Sequence, residues 1–173
     1  MSLYVGAGLA GCTAARLLAL EGLRVALVES HRDIRTSKQL CTHFMQASAY
    51  PVLQRIELDQ LIERVGGVRN GIDIWSRYGW TGDLSPLSSE GQPAFGYNIQ
   101  RRTLDPILRQ LAAETPGVNY LAGFIVRKVA QQDDSVQVQK MNDKARNAVT
   151  TLITRPSQEH RRAGAELCHA VGF

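Results

Sequence analysis

Six residues near the start of the chain, Gly6-Ala7-Gly8-Leu9-Ala10-Gly11, constrain its fold more than any other stretch. They make a G-x-G-x-x-G turn between a short apolar strand, Ser2 to Val5, and an apolar helix, Leu9 to about Leu20. A second strand, Leu23 to Val28, ends in Glu29, about 20 residues beyond the glycines. Each position has a physical task in holding a dinucleotide. Gly6 lets the chain turn sharply off the strand. Gly8 lets a pyrophosphate approach the backbone. Gly11 lets the helix pack closely on the strand. The helix start at Leu9, Ala10 and Gly11 presents free N–H groups and the positive end of the helix dipole to the phosphates. Glu29 can accept both hydroxyls of an adenosine ribose and would repel a 2′-phosphate, which disfavours NADP at this site. A glycine-rich turn also serves an ordinary α/β unit. What favours nucleotide binding is the second strand and its terminal acid at the right spacing.

The rest of the chain is read from periodicity and turn chemistry. Ala10, Ala14, Ala15 and Ala19 allow the first helix to pack closely, and Gly22 suits its C-terminal cap. The crossover to the second strand should be right-handed, making the two strands parallel. His31 to Gln46 is a polar loop directly after the ribose position, so Arg35, His43 and Gln46 are weighed both as neighbours of a cofactor and as plain loop residues. Arg24, Arg32, Arg35 and Lys38 cluster in the same region. They suit either a solvated face or a field that attracts an anion. Residues 51–65 read as helical, with Val52, Leu53 and Ile56 as one apolar set and Leu58, Leu61, Ile62 and Val65 as another. A break is expected near Glu57 and a stop at Gly66-Gly67.

Ile72 to Trp80 reads as a strand, Thr81 to Pro93 as a turn-rich connection, and Ala94 to Ile99 as a returning strand that pairs with the first. Trp75, Tyr78 and Trp80 are weighed as substrate-cavity residues and as core or sheet-face residues. Thr103 is the expected N-cap of the next helix, with Pro106 in its first turn and Leu104, Ile107, Leu108, Leu111 and Ala112 as its apolar stripe. Arg101, Asp105 and Arg109 fall on the polar side at i, i+4 spacing. Thr115-Pro116-Gly117 stops the helix, and Val118 to Ala122 suits a third parallel strand. Residues 123–132, 136–140 and 148–154 read as an antiparallel meander. From Arg155 the chain is polar and aperiodic.

Composition excludes several classes. Net charge is +4 with basic and acidic residues interspersed, and aromatic content is 6%, so no basic-aromatic nucleic-acid surface is expected. No apolar run is long enough to span a membrane, and no signal-peptide pattern opens the chain. Cys12, Cys41 and Cys168 have no metal spacing, so no metal site is expected and reduced thiols in the cytoplasm are the simplest reading.

The order of these segments resembles the N-terminal part of FAD-dependent oxidoreductases of the para-hydroxybenzoate hydroxylase type, a group with aromatic-ring monooxygenases and geranylgeranyl-reductase-like enzymes. Three stretches carry the likeness. They are Val5-Gly-Ala-Gly-Leu-Ala-Gly11 with Glu29; Arg101-Arg-Thr-Leu-Asp105 followed by Leu108, like the family's R-x-x-L-D helix start; and Gly117-Val118 leading to Gly123-Phe-Ile-Val126, like its strand ending in G-x-x-V. The likeness covers roughly residues 1–153. It implies that Gly6, Gly8, Leu9, Ala10 and Gly11 hold the FAD pyrophosphate, Glu29 the adenosine ribose, and the Val126 backbone the adenine. It places Arg101 close to the cofactor, with NAD(P)H as electron donor and a small organic substrate. No catalytic side chain is identified, because in such enzymes the flavin does the redox chemistry.

The expected fold is α/β, a Rossmann-like parallel sheet with flanking helices and an antiparallel β-meander, incomplete at the C-terminus. The expected organisation is an FAD-binding lobe over residues 1–153, with a substrate-side strand pair near 72–99, and a divergent tail over 154–173. The family's later Gly-Asp turn for the ribityl chain has no counterpart, as a truncation or a frameshift would each produce. A complementing chain or self-association through an uncovered sheet edge is expected. The alternatives are a non-catalytic or vestigial nucleotide-binding fragment and an NAD-binding dehydrogenase domain.

Overall fold

A computed structural model describes residues 2–41, 43–71, 74–81, 95–132, 135–142 and 148–154. The connection at 82–94, the turns at 133–134 and 143–147, and the polar tail from Arg155 with Cys168 lie outside the described residues. The chain divides into two compact units, one built on residues up to Ser37 and from Asp105 onward, the other on Lys38–Leu104.

In the first unit, β1 (Ser2–Val5) leads through the glycine turn into α1 (Leu9–Leu20), and β2 (Val25–Glu29) follows. The small-residue face of α1 explains its depth. Cys12 and Ala15 have no exposed surface, and Leu17, Leu18 and Ala19 are buried with them. Gly22, at φ +81°, ends the helix, with Leu23 N–H reaching back to the Leu18 carbonyl at 3.0 Å. β1 and β2 pair in parallel, and β8 (Val118–Ala122) pairs in parallel on the other side of β2. The sheet order is therefore β1-β2-β8, with β2 buried along its whole length. The meander is present as β9 (Phe124–Gln132), β10 (Ser135–Asn142) and β11 (Ala148–Thr154), in the order β11-β10-β9. The α/β class and the parallel sheet with an antiparallel meander agree with the sequence reading.

The second unit holds β3 (Phe44–Met45), α2 (Tyr50–Arg55), α3 (Asp59–Arg64), β4 (Val68–Asn70), β5 (Ile74–Ser76), β6 (Gly79–Thr81) and β7 (Gly96–Asn98). The expected helix break is real: Glu57 sits at φ +58° between α2 and α3, and Leu58 N–H closes on the Leu53 carbonyl at 2.8 Å. Ile56, Leu58, Ile62 and Tyr97 form the floor of this unit, each at most 1% exposed. Tyr97 donates its hydroxyl to Glu63 Oε1 at 2.7 Å, and Arg69 donates from Nε to the same oxygen at 2.9 Å. The Arg69 guanidinium also lies 4.5 Å above the Phe95 ring, whose edge meets Tyr97 with centroids 5.6 Å apart.

Two pairings differ from expectation. Residues 74–81 fold on themselves as the β5–β6 hairpin, with Trp75 opposite Trp80. β7 does not return along them but lies between β3 and β4. The two-residue Arg77-Tyr78 turn makes the hairpin local, a closure cheaper than the long connection the sequence suggested. Trp75, Tyr78 and Trp80 are exposed at 65%, 83% and 72%, so they are not core residues. In β7, Gly96 is demanded by packing, because a Cβ there would fall 1.9 Å from the Met45 carbonyl oxygen.

α4 (Arg101–Ala113) also differs at its start. Thr103 is not its N-cap. The helix opens at Arg101, whose N–H donates to His43 Nδ1 at 3.3 Å. Pro106 consequently lies in the second turn. A side chain 58 residues away supplies the cap, and local sequence cannot reveal that.

Tyr97→Phe should lower stability by about 1 kcal/mol, since it removes one hydrogen bond to a carboxylate that keeps Arg69 and water. Urea unfolding of the two proteins measures it; equal midpoints would refute the contribution.

Candidate functional site

The glycine turn is fixed by a set of hydrogen bonds inside the first unit. Gly6, at φ +95°, donates its N–H to the Val28 carbonyl at 2.7 Å, so the turn is tied to the end of β2. Gly11 is fixed by crowding: a Cβ there would stand 2.0 Å from the Gly6 carbonyl oxygen. Gly8 is different. Its φ of −83° suits any residue, and a Cβ built on it meets no atom within 4 Å beyond its chain neighbours among the described residues. Neither backbone nor packing requires a glycine there. It opens α1 with no side-chain cap and no acidic residue in the first turn, so among the described residues no side chain of the turn caps the N–H groups of Leu9, Ala10 and Gly11.

Glu29 stands at the end of β2, 7% exposed. Its Oε2 accepts the Ala7 N–H at 2.7 Å. Its Oε1 accepts the His31 N–H at 3.0 Å, His31 Nδ1–H at 2.8 Å and the Ser30 hydroxyl at 3.0 Å. The acid is thus bonded to the turn that the sequence pairs it with. The turn after β8 comes to the same place: Gly123 N–H donates to the His31 carbonyl at 3.2 Å, and Arg32 lies so close over Gly123 that a Cβ there would be 2.6 Å from its Cγ.

The sequence profile of the FAD binding domain family matches residues 2–153. The chain belongs to the FAD binding domain family. Among curated proteins no relative matches the sequence. Solved structures share its fold at low identity. A flavoprotein/dehydrogenase from Cytophaga hutchinsonii is 16% identical with a TM-score of 0.72, over 87% of this chain and 37% of that one. The p-nitrophenol 4-monooxygenase PnpA from Pseudomonas putida DLL-E4 is 18% identical with a TM-score of 0.67, over 87% of this chain and 38% of that one. The myxobacterial chondrochloren halogenase CndH, an FAD-dependent halogenase, is 19% identical with a TM-score of 0.68, over 89% and 35%. The chain spans roughly a third of the length of these structures.

Within this FAD binding domain, Gly6, Gly8, Leu9, Ala10, Gly11 and Glu29 are brought together in one unit. Val126 is half-buried on β9 of the same unit, three residues past Gly123. Arg101 belongs to the other unit. There it is 9% exposed, with Nη1 3.9 Å from Cys41 Sγ, while His43 N–H reaches that sulfur at 3.4 Å. These contacts hold the exposed Cys41 thiol below its ordinary pKa, the His43 N–H first and the Arg101 charge after it. Of the other loop residues, Arg35 is spent on Asp33, at 3.0 Å from Nη2, and Gln46 is exposed.

Sequence reasoning missed Arg109. Arg101, Asp105 and Arg109 were expected on a polar helix face, yet the fold buries all three, to 9%, 2% and 6% exposure. Arg109 donates from Nε to the Ala7 carbonyl at 2.7 Å, and from Nη1 to the Ile34 carbonyl at 3.0 Å and to that of Thr36. A helix side lined by carbonyl oxygens can bury a guanidinium where an apolar side could not. No side-chain pattern marks it, because its partners are main-chain atoms. Cys12 reports the same charged surroundings. Burial pushes its thiol up to about 12, Arg109 opposes this, and Glu29 and Asp105 add to it. Tyr120 Oη is buried nearby with no hydrogen-bond partner among the described residues. No group of three or more His, Cys, Asp and Glu among the described residues could hold a metal ion, and no helix there is long and apolar enough to cross a membrane.

Burial alone would raise the Glu29 carboxyl. The His31 N–H and ring, the Ala7 N–H and the Ser30 hydroxyl outweigh it and bring the group from its ordinary 4.5 to about 2. A carboxyl depressed by folding stabilises the fold above its unfolded pKa, and that contribution fades as pH falls through the folded value. Wild type should therefore lose the Glu29 contribution between about pH 4.5 and about pH 2. Glu29→Gln should be less stable than wild type at pH 7 and close to it at the acid end of that window. Urea midpoints of both proteins across this range measure the difference; a gap independent of pH would contradict the assignment.

Proposed function

We propose that this FAD binding domain holds the ADP half of FAD in an oxidoreductase of the monooxygenase type, within the para-hydroxybenzoate hydroxylase and geranylgeranyl-reductase-like group. The observation that carries the reading is Gly8. A glycine that neither φ nor packing requires, at an uncapped helix start, leaves space and donors for something outside the chain. The pyrophosphate of FAD fits both the uncapped N–H groups and the helix dipole. Glu29, held ionised, accepts the adenosine ribose hydroxyls beside the turn, and the backbone near Val126 borders the adenine. Arg101 is assigned to the cofactor on resemblance, with NAD(P)H as donor and a small organic molecule as substrate.

Bound flavin supplies the redox chemistry of such enzymes. The chain's own residues bind and orient it: the turn fixes the diphosphate, Glu29 sets the adenosine end, and its charge disfavours a nucleotide with a 2′-phosphate. β1 is an outer strand of the parallel sheet among the described residues, with Val5 59% exposed. That edge is the proposed place for a complementing strand or a second copy.

Gly8→Val tests the reading. The side chain should enter the open space, leave thermal unfolding of the apoprotein within the ~1 kcal/mol cost of a helix-cap exchange, and remove FAD binding. Titration with FAD, followed by the flavin absorption band and fluorescence, measures it. Wild-type affinity in the variant would sink the proposal.

A further inference from the structure

We infer that Arg109 is a positioning residue for the phosphate-binding turn, acting through the Ala7–Gly8 peptide; the inference rests on the reading of that turn as the FAD diphosphate site. A trans peptide is planar, with its C=O and the following N–H on opposite sides. The Ala7 carbonyl and the Gly8 N–H belong to one such plane. Arg109 draws the Ala7 carbonyl inward at 2.7 Å, so the Gly8 N–H faces the other way. The preceding plane is fixed by the same logic. Glu29 takes the Ala7 N–H at 2.7 Å, and the Gly6 carbonyl faces Gly11. Ala7 is therefore held at both of its polar groups, by an accepting carboxylate on one side and a donating guanidinium on the other. A flipped Ala7–Gly8 peptide would present a carbonyl oxygen to an incoming diphosphate instead of a donor.

The guanidinium suits this work better than an ammonium. Its donors form a rigid fork, and three carbonyls from two segments of chain are satisfied at once. The Ile34 and Thr36 carbonyls belong to the turn in which Thr36 N–H closes on Asp33 at 3.1 Å, so the same side chain also fixes the segment after the ribose acid.

Arg109→Lys keeps the charge and loses the fork. Dissociation constants for FAD, ADP and adenosine should be measured on wild type and variant, with thermal unfolding of each apoprotein as control. The expected result is a roughly tenfold loss for FAD and ADP, the ligands that carry phosphate, with adenosine within twofold. A folded variant that binds ADP as wild type does overturns the inference. Equal losses for ADP and adenosine overturn it as well, because a merely structural role predicts them. Wild-type protein needs no substitution for the second measurement: the Gly8 amide resonance should move downfield on ADP titration, and an unmoved Gly8 amide overturns the inference. Wild type that takes up neither FAD nor ADP sinks the FAD reading itself, whereas wild-type binding with an unaffected Arg109→Lys sinks this inference alone.

Discussion

The first unit depends on one close approach, the start of α1 against the Gly6 carbonyl. Space for a methyl group is missing at Gly11, by a wide margin, since the nearest oxygen would be 2.0 Å away. That contact sets how α1 leaves the strand. The sharp turn at Gly6, its bond to the end of β2, and the burial of Cys12 and Ala15 against the sheet all follow from it. A side chain at Gly11 would push α1 off β2, the buried central strand of the parallel sheet. The three glycines of the turn thus divide into two kinds. Gly6 and Gly11 are explained by the protein alone, whereas Gly8 is not, and the proposed diphosphate would account for it.

Much of this was legible in the sequence. α1 spans Leu9–Leu20 as its apolar spacing indicated, and the break at Glu57 was visible because two apolar sets fall out of phase there. The parallel strands and the meander were legible for the same reason: their signals are local. What stayed hidden was long-range and polar. His43 opens α4 from 58 residues away, and Arg109 reaches main-chain atoms 102 and 75 residues away. Periodicity assigns charged residues at i, i+4 to solvent because burial of a charge without partners is costly. It cannot see that folded backbone will supply those partners. The hairpin at 74–81 was misread because its turn, Arg77-Tyr78, holds none of the residues that announce one, apart from Gly79 just beyond it.

The second unit solves a different problem. Its strands are only two or three residues long, so ladder bonds alone cannot hold them. Side chains do the rest. Glu63 gathers the Tyr97 hydroxyl and the Arg69 guanidinium, and Arg69 lies over Phe95, which packs edge-on against Tyr97 and, with centroids 4.9 Å apart, against Tyr50. One carboxylate thereby joins α3, β4 and β7. The buried Tyr97 phenol, pushed up to about 12 by burial and then by Glu63, stays neutral and remains a donor.

The proposed diphosphate site also contains a carboxylate, which poses an electrostatic difficulty. Glu29 carries a full negative charge beside the turn, and two like charges at such range repel. The fold answers it by orientation. Four donors converge on the Glu29 oxygens, from Ala7, Ser30 and twice from His31, so the charge is already partnered within the protein. In the proposal the amides at the start of α1 and the positive end of its dipole take the diphosphate at the other end of the site, and the buried Arg109 guanidinium is bonded to the same turn at the Ala7 carbonyl. A ligand with phosphates at one end and hydroxyls at the other matches both ends. One with a further phosphate on the ribose meets the acid instead. In that proposal, selectivity among nucleotides comes from the turn itself, because the hydrogen bonds that hold its backbone also decide where negative charge is tolerated.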